Sequence, residues 1–229
     1  MKFSIIIPTL NEEESILAFL SALQPVRDCC EIIVVDGGSL DKTKALAEPF
    51  VDKLLSSERG RAVQMNAGAD YASGDVLVFL HADTFLPQDA LNQIADTMKT
   101  DRQWGRFDVE LKGSHFMLKI VAFFMNWRSR LSGIATGDQV IFVDKLLFEA
   151  VGRYPAIAIM EDVALSKKLK LISSPACLYA KVSTSGRRWE QFGVFKTILL
   201  MWRLRLGYFL GEDPQVLAKL YREGKFWKT

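Results

Sequence analysis

The sequence predicts an α/β protein, a three-layer α/β/α sandwich around a mostly parallel sheet, followed by a C-terminal helical extension rich in basic and aromatic residues. Short apolar runs alternate with segments of helical length up to about residue 100, the pattern of parallel strands joined by crossover helices. Residues 76–80 are apolar at every position, which is typical of a strand buried on both faces. With 229 residues and 49% hydrophobic composition, the chain can bury one sizeable core.

The elements of the first half follow from these runs. We expect strands at residues 3–7, 31–35, 51–55 and 76–80 and helices at residues 11–23, 61–71 and 89–99. Asn11 and Glu14 have the spacing of a capping box, and Asp41 or Ser39 could cap a short helix after the second strand. Because parallel strands need helical crossovers between them, we place the four predicted strands in one sheet.

After residue 100 the alternation weakens. Residues 105–111 and 139–143 resemble strands, and residues 116–131 and 191–210 have the apolar spacing of amphipathic helices. We therefore predict one domain over residues 1–190 and a helical extension over residues 191–229 that packs on it. Both amphipathic helices are basic and aromatic. We expect most of their apolar residues to pack as core or as a dimer face, and peripheral contact with an anionic membrane is the alternative.

Charge and cysteine content limit the class of protein. The net charge is +2 overall, with ten Lys and Arg against four Asp and Glu in residues 181–229, which does not indicate nucleic-acid binding. Cys29, Cys30 and Cys177 are a poor disulfide framework. The first ten residues lack the pattern of a signal peptide, and no apolar stretch is long enough for a membrane span. We expect a cytoplasmic protein, or one attached to the cytoplasmic face of a membrane.

Short segments with polar side chains follow three of the predicted strands. The candidate residues in these segments are Pro8, Thr9, Asn11 and Glu12 after the first strand, Asp36 and Gly37 after the second, and His81 and Asp83 after the fourth. In a parallel sheet these ends share one rim, where ligands collect. A carboxylate such as Asp36 can accept hydrogen bonds from a ribose or a base, although Asp-Gly-Gly-Ser is also ordinary turn chemistry. Asp83 could likewise only end a strand.

Several other kinds of site are disfavoured. No Gly-x-Gly-x-x-Gly follows the first strand and no P-loop motif is present. The histidines are His81 and His115 alone, beside three scattered cysteines, which does not suit a structural zinc site. Arg59 and Arg61, near the start of a predicted helix, could hold a diphosphate. The alternative is that both arginines are only solvated residues at the start of a helix.

Five motifs in order resemble one known family. They are residues 6–12 (IIPTLNE), 33–43 (IVVDGGSLDKT), 59–69 (RGRAVQMNAGA), 80–84 (LHADT) and 161–162 (ED). This order is similar to that of the family 2 type of nucleotide-sugar glycosyltransferases, which have the GT-A fold. The resemblance covers the first two-thirds of the chain. It implies that Pro8, Thr9, Asn11, Glu12, Asp36 and Gly37 surround the nucleotide of a nucleoside diphosphate sugar.

The resemblance places His81 and Asp83 at the family's Asp-x-Asp position, near the diphosphate and a divalent cation, Mn²⁺ or Mg²⁺. The chain departs from the pattern because His81 replaces the first aspartate. Mg²⁺ commonly binds through one or two carboxylates with substrate phosphates and water, so Asp83 alone can serve. An imidazole ligand would favour Mn²⁺. We favour the other alternative, in which His81 contacts the ribose or a phosphate.

The resemblance also assigns an acceptor side. Asp162 matches the Glu-Asp position whose aspartate acts as general base, with Glu161 beside it, although carboxylates also suit a helix start without any function. Arg187, Arg188 and Trp189 resemble the Arg-Trp motif of processive members, and Gly137 with Asp138 is a further acceptor-side candidate. For both of these groups, a purely structural role is the alternative.

The activity expected from this resemblance is transfer of a sugar from a nucleoside diphosphate donor to an acceptor hydroxyl, with inversion and a metal. Two alternatives stay open: a nucleotidyltransferase that releases pyrophosphate, and a binding module without turnover. The sequence does not identify the acceptor. A lipid-linked acceptor is one of the candidates. Homo-oligomer formation also stays open, and we expect no nucleic-acid partner.

Overall fold

The computed structural model describes residues 1–227, and its centre is one eight-stranded sheet. The strands are β1 (Phe3–Thr9), β2 (Cys30–Asp36), β3 (Lys53–Ser56), β4 (Val76–Phe79), β5 (Thr84–Phe85), β6 (Trp104–Lys112), β7 (Ile141–Asp144) and β8 (Ala176–Ser185). The helices are α1 (Ile16–Leu23), α2 (Thr43–Ala47), α3 (Arg61–Tyr71), α4 (Ala90–Met98), α5 (Met117–Ser132), α6 (Lys145–Ala150), α7 (Glu161–Lys170), α8 (Arg187–Phe192), α9 (Val194–Phe209) and α10 (Pro214–Glu223). Short 3₁₀ turns occupy Gln24–Cys29, Glu48–Phe50 and Gly137–Gln139.

The strand order is β3-β2-β1-β4-β7-β6-β8-β5. The first four strands in this order are parallel to one another, as predicted. In the second half, β7 pairs antiparallel with β4 and with β6, and β5 pairs antiparallel with β8. Because Thr9 lies opposite Asp36 and Ile6 opposite Phe79, the carboxyl ends of β1, β2 and β4 meet at one rim. The sheet positions the candidate site there.

Helices cover both faces of the sheet, which confirms the predicted three layers. Alternate residues of β1 point to opposite sides, since Ile5 and Ile7 belong to one core cluster and Ile6 to another. The first cluster includes apolar residues of α1, α4 and α5, and the second includes those of α3, α6 and α7. All seven residues of β1 and of β2 are buried, which explains the apolar runs Ile5–Ile7 and Ile32–Val35 at their centres.

The C-terminal helices pack against the start of α7. Leu200 and Leu204 of α9 and Leu217 of α10 form a third cluster with Met160 and Val163. The division predicted between residues 190 and 191 falls inside α8. The domain boundary itself stays a prediction. The last two residues of the predicted extension, 228 and 229, lie outside the described residues.

Several element predictions were wrong in detail. Helix α1 begins at Ile16 instead of residue 11, because Asn11 adopts a left-handed conformation with φ of 53°. The side chain of Asn11 accepts a hydrogen bond from the Leu40 N–H, so the expected capping box with Glu14 is not formed. Strands β5 and β8 and helices α6 and α8 were not predicted, and α10 lies within the predicted helical extension without having been located as a separate helix. Most of the residues of β8 are only partly buried, which leaves no clear period in the sequence.

Of the two expected roles for the apolar stripe of α9, packing as core was wrong, and a dimer face stays a prediction. Six large apolar residues between positions 195 and 210 are 55–74% exposed: Phe195, Leu199, Trp202, Leu206, Phe209 and Leu210. The buried face of α9 is instead formed by Val194, Thr197, Leu200, Leu204 and Gly207. Among residues 1–227 no helix has both the length and the apolar character needed to cross a bilayer.

Candidate active site

The ends of β1 and β2 are joined by one buried side chain of α3. The amide nitrogen of Gln64 donates to the backbone oxygen of Thr9 over 2.9 Å and to that of Val35 over 2.8 Å. A Cβ atom at Gly37 would meet the Gln64 amide at 3.0 Å, so glycine allows the close approach. Gln64 therefore has a structural role. The Thr9 and Asp36 ends are thereby held side by side.

A cleft of about 540 Å³ opens at this rim. Its lining includes six of the predicted donor-side residues together with Asp83: Pro8, Thr9, Glu12, Arg59, Arg61 and His81. Glu161 also lines it, as do residues of the segment before α7 and of α10. The structure therefore brings together the polar groups at the ends of β1 and β4, whereas the predicted residues Asn11, Asp36 and Gly37 do not line the cleft.

Asp36 is fully buried at the end of β2, opposite the cleft residue Thr9 of β1, and is not itself among the residues that line the cleft. Its Oδ2 accepts hydrogen bonds from the backbone N–H groups of Gly38 and Ser39 over 3.0 and 2.9 Å. Its Oδ1 is buried and has no partner among the described residues. A buried carboxylate oxygen without a donor is costly. This oxygen is thus suited to accept a hydrogen bond from a bound ligand.

Asp83 is partly buried and lines the cleft. Its Oδ1 accepts a hydrogen bond from the Thr84 hydroxyl over 3.2 Å and lies 3.5 Å from the Thr184 hydroxyl. No group of three or more His, Cys, Asp or Glu side chains within residues 1–227 could hold a metal ion. A single carboxylate still fits Mg²⁺ or Mn²⁺ when donor phosphates and water supply the other ligands. The contribution of Thr184, from the unpredicted β8, was missed by the sequence analysis.

His81 is enclosed by the Gly137–Gln139 turn. Its Nδ1 lies 3.6 Å from Oδ1 of Asp138, and a Cβ atom at Gly137 would overlap its Cε1 and Nε2 atoms. Burial opposes ionisation of Asp138, but the hydrogen bond and charge of His81, with the charge of Arg61, hold the pKa of Asp138 below its usual value. Both ring edges are therefore engaged by the turn, which disfavours His81 as a metal ligand.

Asp162 lies on the other side of the same turn. Its Oδ2 accepts a hydrogen bond from the Gly137 N–H over 2.9 Å, and its Oδ1 accepts one from the Val163 N–H over 2.7 Å. Glu161 is buried, and burial together with the charge of Asp162 raises its pKa. Of these two carboxylates only Glu161 lines the cleft. The two predicted carboxylates therefore lie in different environments. Glu161 is buried and lines the cleft, and Asp162 is held by backbone N–H groups and does not line it.

Arg59 and Arg61 are exposed within the cleft, at the start of α3. Neither side chain makes a hydrogen bond or an ion pair to any residue in the described part of the chain. The protein around the cleft opposes the charge of Arg61 although its side chain is exposed, but the nearby Tyr221 and Glu161 outweigh this effect and raise the pKa of Arg61 above its ordinary value. Both guanidinium groups are free to pair with an anion.

The other predicted residues lie outside the cleft. Asn11 holds the loop after β2, since its N–H donates to the Ser39 hydroxyl over 2.8 Å. Arg187 lies at a small separate pocket next to the acidic residues 12–14. Trp189 packs partly buried against the core. The acceptor roles of Arg187 and Trp189 stay predictions that these contacts do not support.

Arg188 does not line the cleft but contacts Tyr221, a residue that does. Its guanidinium lies 3.6 Å from the centre of the Tyr221 ring and donates to the backbone oxygen of the same residue. Tyr221 and Arg222 of α10 line the cleft, a contribution that the sequence analysis missed. The basic charge of the C-terminal region was the only available signal, and it does not indicate which helix face meets the site.

The model of one protein family matches residues 4–142 of this chain, and its description is glycosyl transferase family 2. A protein of Haemophilus influenzae named as an uncharacterized glycosyltransferase is 32% identical over 234 residues, covering 95% of this chain and 92% of its own length. Other curated relatives match over a smaller part, so that the chain spans 34% and 40% of the length of the first two.

Two solved structures share the fold. Staphylococcus aureus TarS 1-349 in complex with UDP-GlcNAc has a TM-score of 0.65 at 20% identity, over 81% of this chain and 58% of that one. The Pyrobaculum calidifontis mannosyltransferase PcManGT, in complex with GDP-Man and Mn²⁺, has a TM-score of 0.63 at 21% identity, over 97% of this chain and 65% of that one. These similarities confirm the predicted GT-A fold, and with the family match over residues 4–142, the chain belongs to glycosyl transferase family 2.

Proposed function

We propose that this protein transfers a sugar from a nucleoside diphosphate sugar to an acceptor hydroxyl, with inversion at the anomeric carbon and with a divalent cation. The observation that carries the proposal is the single turn between the donor cleft and Asp162. His81 at the cleft contacts Gly137 and Asp138, and the N–H of Gly137 holds Asp162. In the proposed site, donor and base would thus lie on either side of one short turn.

The donor would occupy the cleft of about 540 Å³. The unpartnered Oδ1 of Asp36 suits a hydrogen bond from the nucleoside. Arg59 and Arg61 suit the diphosphate, because guanidinium groups form strong, charge-assisted hydrogen bonds to phosphate oxygens. Asp83 would hold the cation, which when bound neutralises charge on the departing nucleoside diphosphate.

The acceptor hydroxyl would approach from the side of Asp162. Its oxygen forms a bond to the anomeric carbon, the bond from that carbon to the phosphate oxygen breaks, and its electron pair leaves with the nucleoside diphosphate. Asp162 takes the hydroxyl proton as general base. One displacement of this kind inverts the configuration at the anomeric carbon. The Gly137 and Val163 N–H groups orient the carboxylate for this step.

Donor hydrolysis tests this function. We expect slow release of nucleoside diphosphate from one or a few nucleotide sugars, dependent on Mn²⁺ or Mg²⁺, and a large loss in Asp83→Asn. Asp101→Asn is the matched control, since Asp101 is exposed. Release of pyrophosphate from a nucleoside triphosphate would instead support the nucleotidyltransferase alternative. Donor binding without release across a broad acceptor panel would support the non-catalytic one.

An amphiphilic acceptor at a membrane surface is supported by what we term the apolar face. This face consists of exposed residues of α5 and its start, Phe116, Phe123, Phe124, Trp127 and Leu131, and of α9, Phe195, Leu199, Trp202, Leu206 and Phe209. Both helices contribute to the same core cluster, through Val121 and Val194. Lys119 and Lys196 lie exposed on the same helices, so a bilayer that carries anionic lipid complements the face in polarity and charge.

Vesicle sedimentation tests this contact. We expect wild-type protein to sediment with anionic vesicles more than with zwitterionic ones, and Trp202→Glu to reduce the bound fraction severalfold. Leu40→Glu is the matched control, because Leu40 is exposed and lies in the loop between β2 and α2, outside both helices. A dimer that Trp202→Glu dissociates, with no vesicle binding by the wild type, would show that a second copy covers the face instead.

A further inference from the structure

Two arginines near Asp162 have no partner for their positive charge. Nη2 of Arg128, on α5, is buried and without a hydrogen-bond partner. Arg205, on α9, is partly buried and makes neither a hydrogen bond nor an ion pair with any residue from 1 to 227. Each lies eleven positions after the first residue of its helix.

The neighbouring arginines are paired, which sets these two apart. Arg106 and Arg130 both form ion pairs with Asp108, and Arg203 pairs with Glu212 over 2.9 Å. Asp162 is close enough to both Arg128 and Arg205 to influence them. Its oxygens instead accept the backbone N–H groups described above, and it forms an ion pair with neither guanidinium.

The unpaired charges repel one another inside the protein. Burial and then the charge of Arg205 lower the pKa of Arg128 to about 10. Burial also lowers the pKa of Arg205, against the opposing charges of Asp162 and Asp138. A buried, unpaired guanidinium costs free energy, and an anion with hydrogen-bond acceptors would offset that cost. The two guanidinium groups therefore leave positive charge near Asp162 that an anion would neutralise.

The surroundings of this pair indicate what kind of molecule brings the anion. Arg128 follows Trp127, and Leu206 follows Arg205, both on the apolar face. An acceptor with a phosphate group at Arg128 and Arg205 and an apolar part directed along that face would place its nearby hydroxyl beside Asp162. Nucleotide phosphates have the separate Arg59 and Arg61 in the donor cleft.

We propose that Arg128 and Arg205 bind a phosphate group of the acceptor and position its nucleophilic oxygen at Asp162. This inference rests on the proposed glycosyl transfer for the identity of the ligand as acceptor. The anion site itself does not depend on turnover. The phosphate could belong to a lipid head group or to a small water-soluble molecule, and both share the chemistry recognised here.

Titration calorimetry with simple probes tests the site. Dodecyl phosphate, dodecanol and inorganic phosphate are each titrated into the full chain without donor. We expect dodecyl phosphate to bind saturably, and Arg128→Gln or Arg205→Gln to weaken it about tenfold each, the loss typical of one charge-assisted hydrogen bond. Arg102→Gln, which removes an exposed arginine, should leave binding unchanged.

The probe comparison identifies the source of the phosphate. Much tighter binding of dodecyl phosphate than of inorganic phosphate indicates a lipid head group, and equal binding indicates a soluble phosphorylated acceptor. Binding of dodecyl phosphate no tighter than dodecanol, or binding unaffected by loss of both arginines, would overturn the site. Nucleoside diphosphate release is measured in parallel: its absence with intact phosphate binding would reject the proposed function and not the anion site.

The stability of the ligand-free variants separates binding from a structural role. We expect Arg128→Gln to unfold at the same or a higher temperature than wild type, because an unpaired buried charge is removed. A structural arginine would show the reverse. With dodecyl phosphate present, the wild type should gain more thermal stability than the variant. Reduced stability of the free variant with unchanged phosphate binding would assign Arg128 a folding role and contradict the proposal.

Discussion

The backbone N–H of Gly137 donates a hydrogen bond to Oδ2 of Asp162 over 2.9 Å. The same glycine packs against the imidazole of His81, which lines the donor cleft. The turn from Gly137 to Gln139 is itself fixed by a capping box between Thr136 and Gln139. One short segment therefore sets the distance between the donor cleft and the candidate base.

Gly137→Ala should disturb both sides of this turn. An added Cβ would overlap the His81 ring, so either the ring or the turn must shift. We expect weaker donor binding and a lower unfolding temperature. The double variant Gly137→Ala/His81→Ala should recover part of the stability, because removal of the ring makes room for the methyl group, and a double-mutant cycle measures this coupling. Strict additivity of the two changes would contradict the contact.

Asp162→Asn should abolish transfer while donor binding is kept. The amide oxygen can still accept the Gly137 N–H, while the hydrogen bond from the Val163 N–H is lost, and an amide cannot take a proton. Loss of a general base typically costs about two to four orders of magnitude in rate. Single-turnover assays and a donor-induced thermal shift measure the two properties separately. Near-normal transfer by the variant would remove Asp162 from the base role.

Asp36→Asn should separate ligand binding from stability. The two N–H groups at the loop can still be accepted by an amide oxygen, whereas the unpartnered oxygen is replaced by an N–H donor. We expect donor affinity to fall about tenfold or more, since a hydrogen bond to a charged group is lost. The free protein should be about as stable as wild type in urea. Marked destabilisation with unchanged affinity would indicate a purely structural carboxylate.

Glu31→Gln should make the stability of the protein less dependent on pH. Burial opposes its ionisation, but hydrogen bonds from Ser4, Ser73 and Lys53 outweigh burial and lower the pKa of Glu31 from 4.5 to about 2. Its ionised form therefore stabilises the fold above pH 4.5, and that contribution is lost as the pH falls towards 2. The variant should be less stable than wild type at pH 7.

Urea unfolding across this pH range measures the effect. The difference between wild type and Glu31→Gln should be largest at neutral pH and shrink as acid protonates the wild-type carboxyl. Glu58→Gln, at an exposed residue, is the control that should show no such trend. A difference between Glu31→Gln and wild type that is constant with pH would contradict the assigned cause.

Local sequence patterns predicted much of the first half of the fold. Helix α3 has the predicted bounds, residues 61 and 71, and β1, β2 and β4 lie within a few residues of prediction. Buried parallel strands are apolar throughout, so they can be read without knowing their neighbours. The mixed half was harder, because β8 is only partly buried and has no clean period.

The sequence alone determined the family motifs, the alternation of strands and helices, and the set of polar residues at the strand ends. Tertiary structure alone decided that His81 meets Gly137, that α10 lines the cleft, and that Arg128 and Arg205 are left unpaired while Arg106 and Arg130 share Asp108. The physical reason is range: propensity and periodicity act over a few residues, whereas charge pairing and burial depend on side chains that only the folded chain brings together.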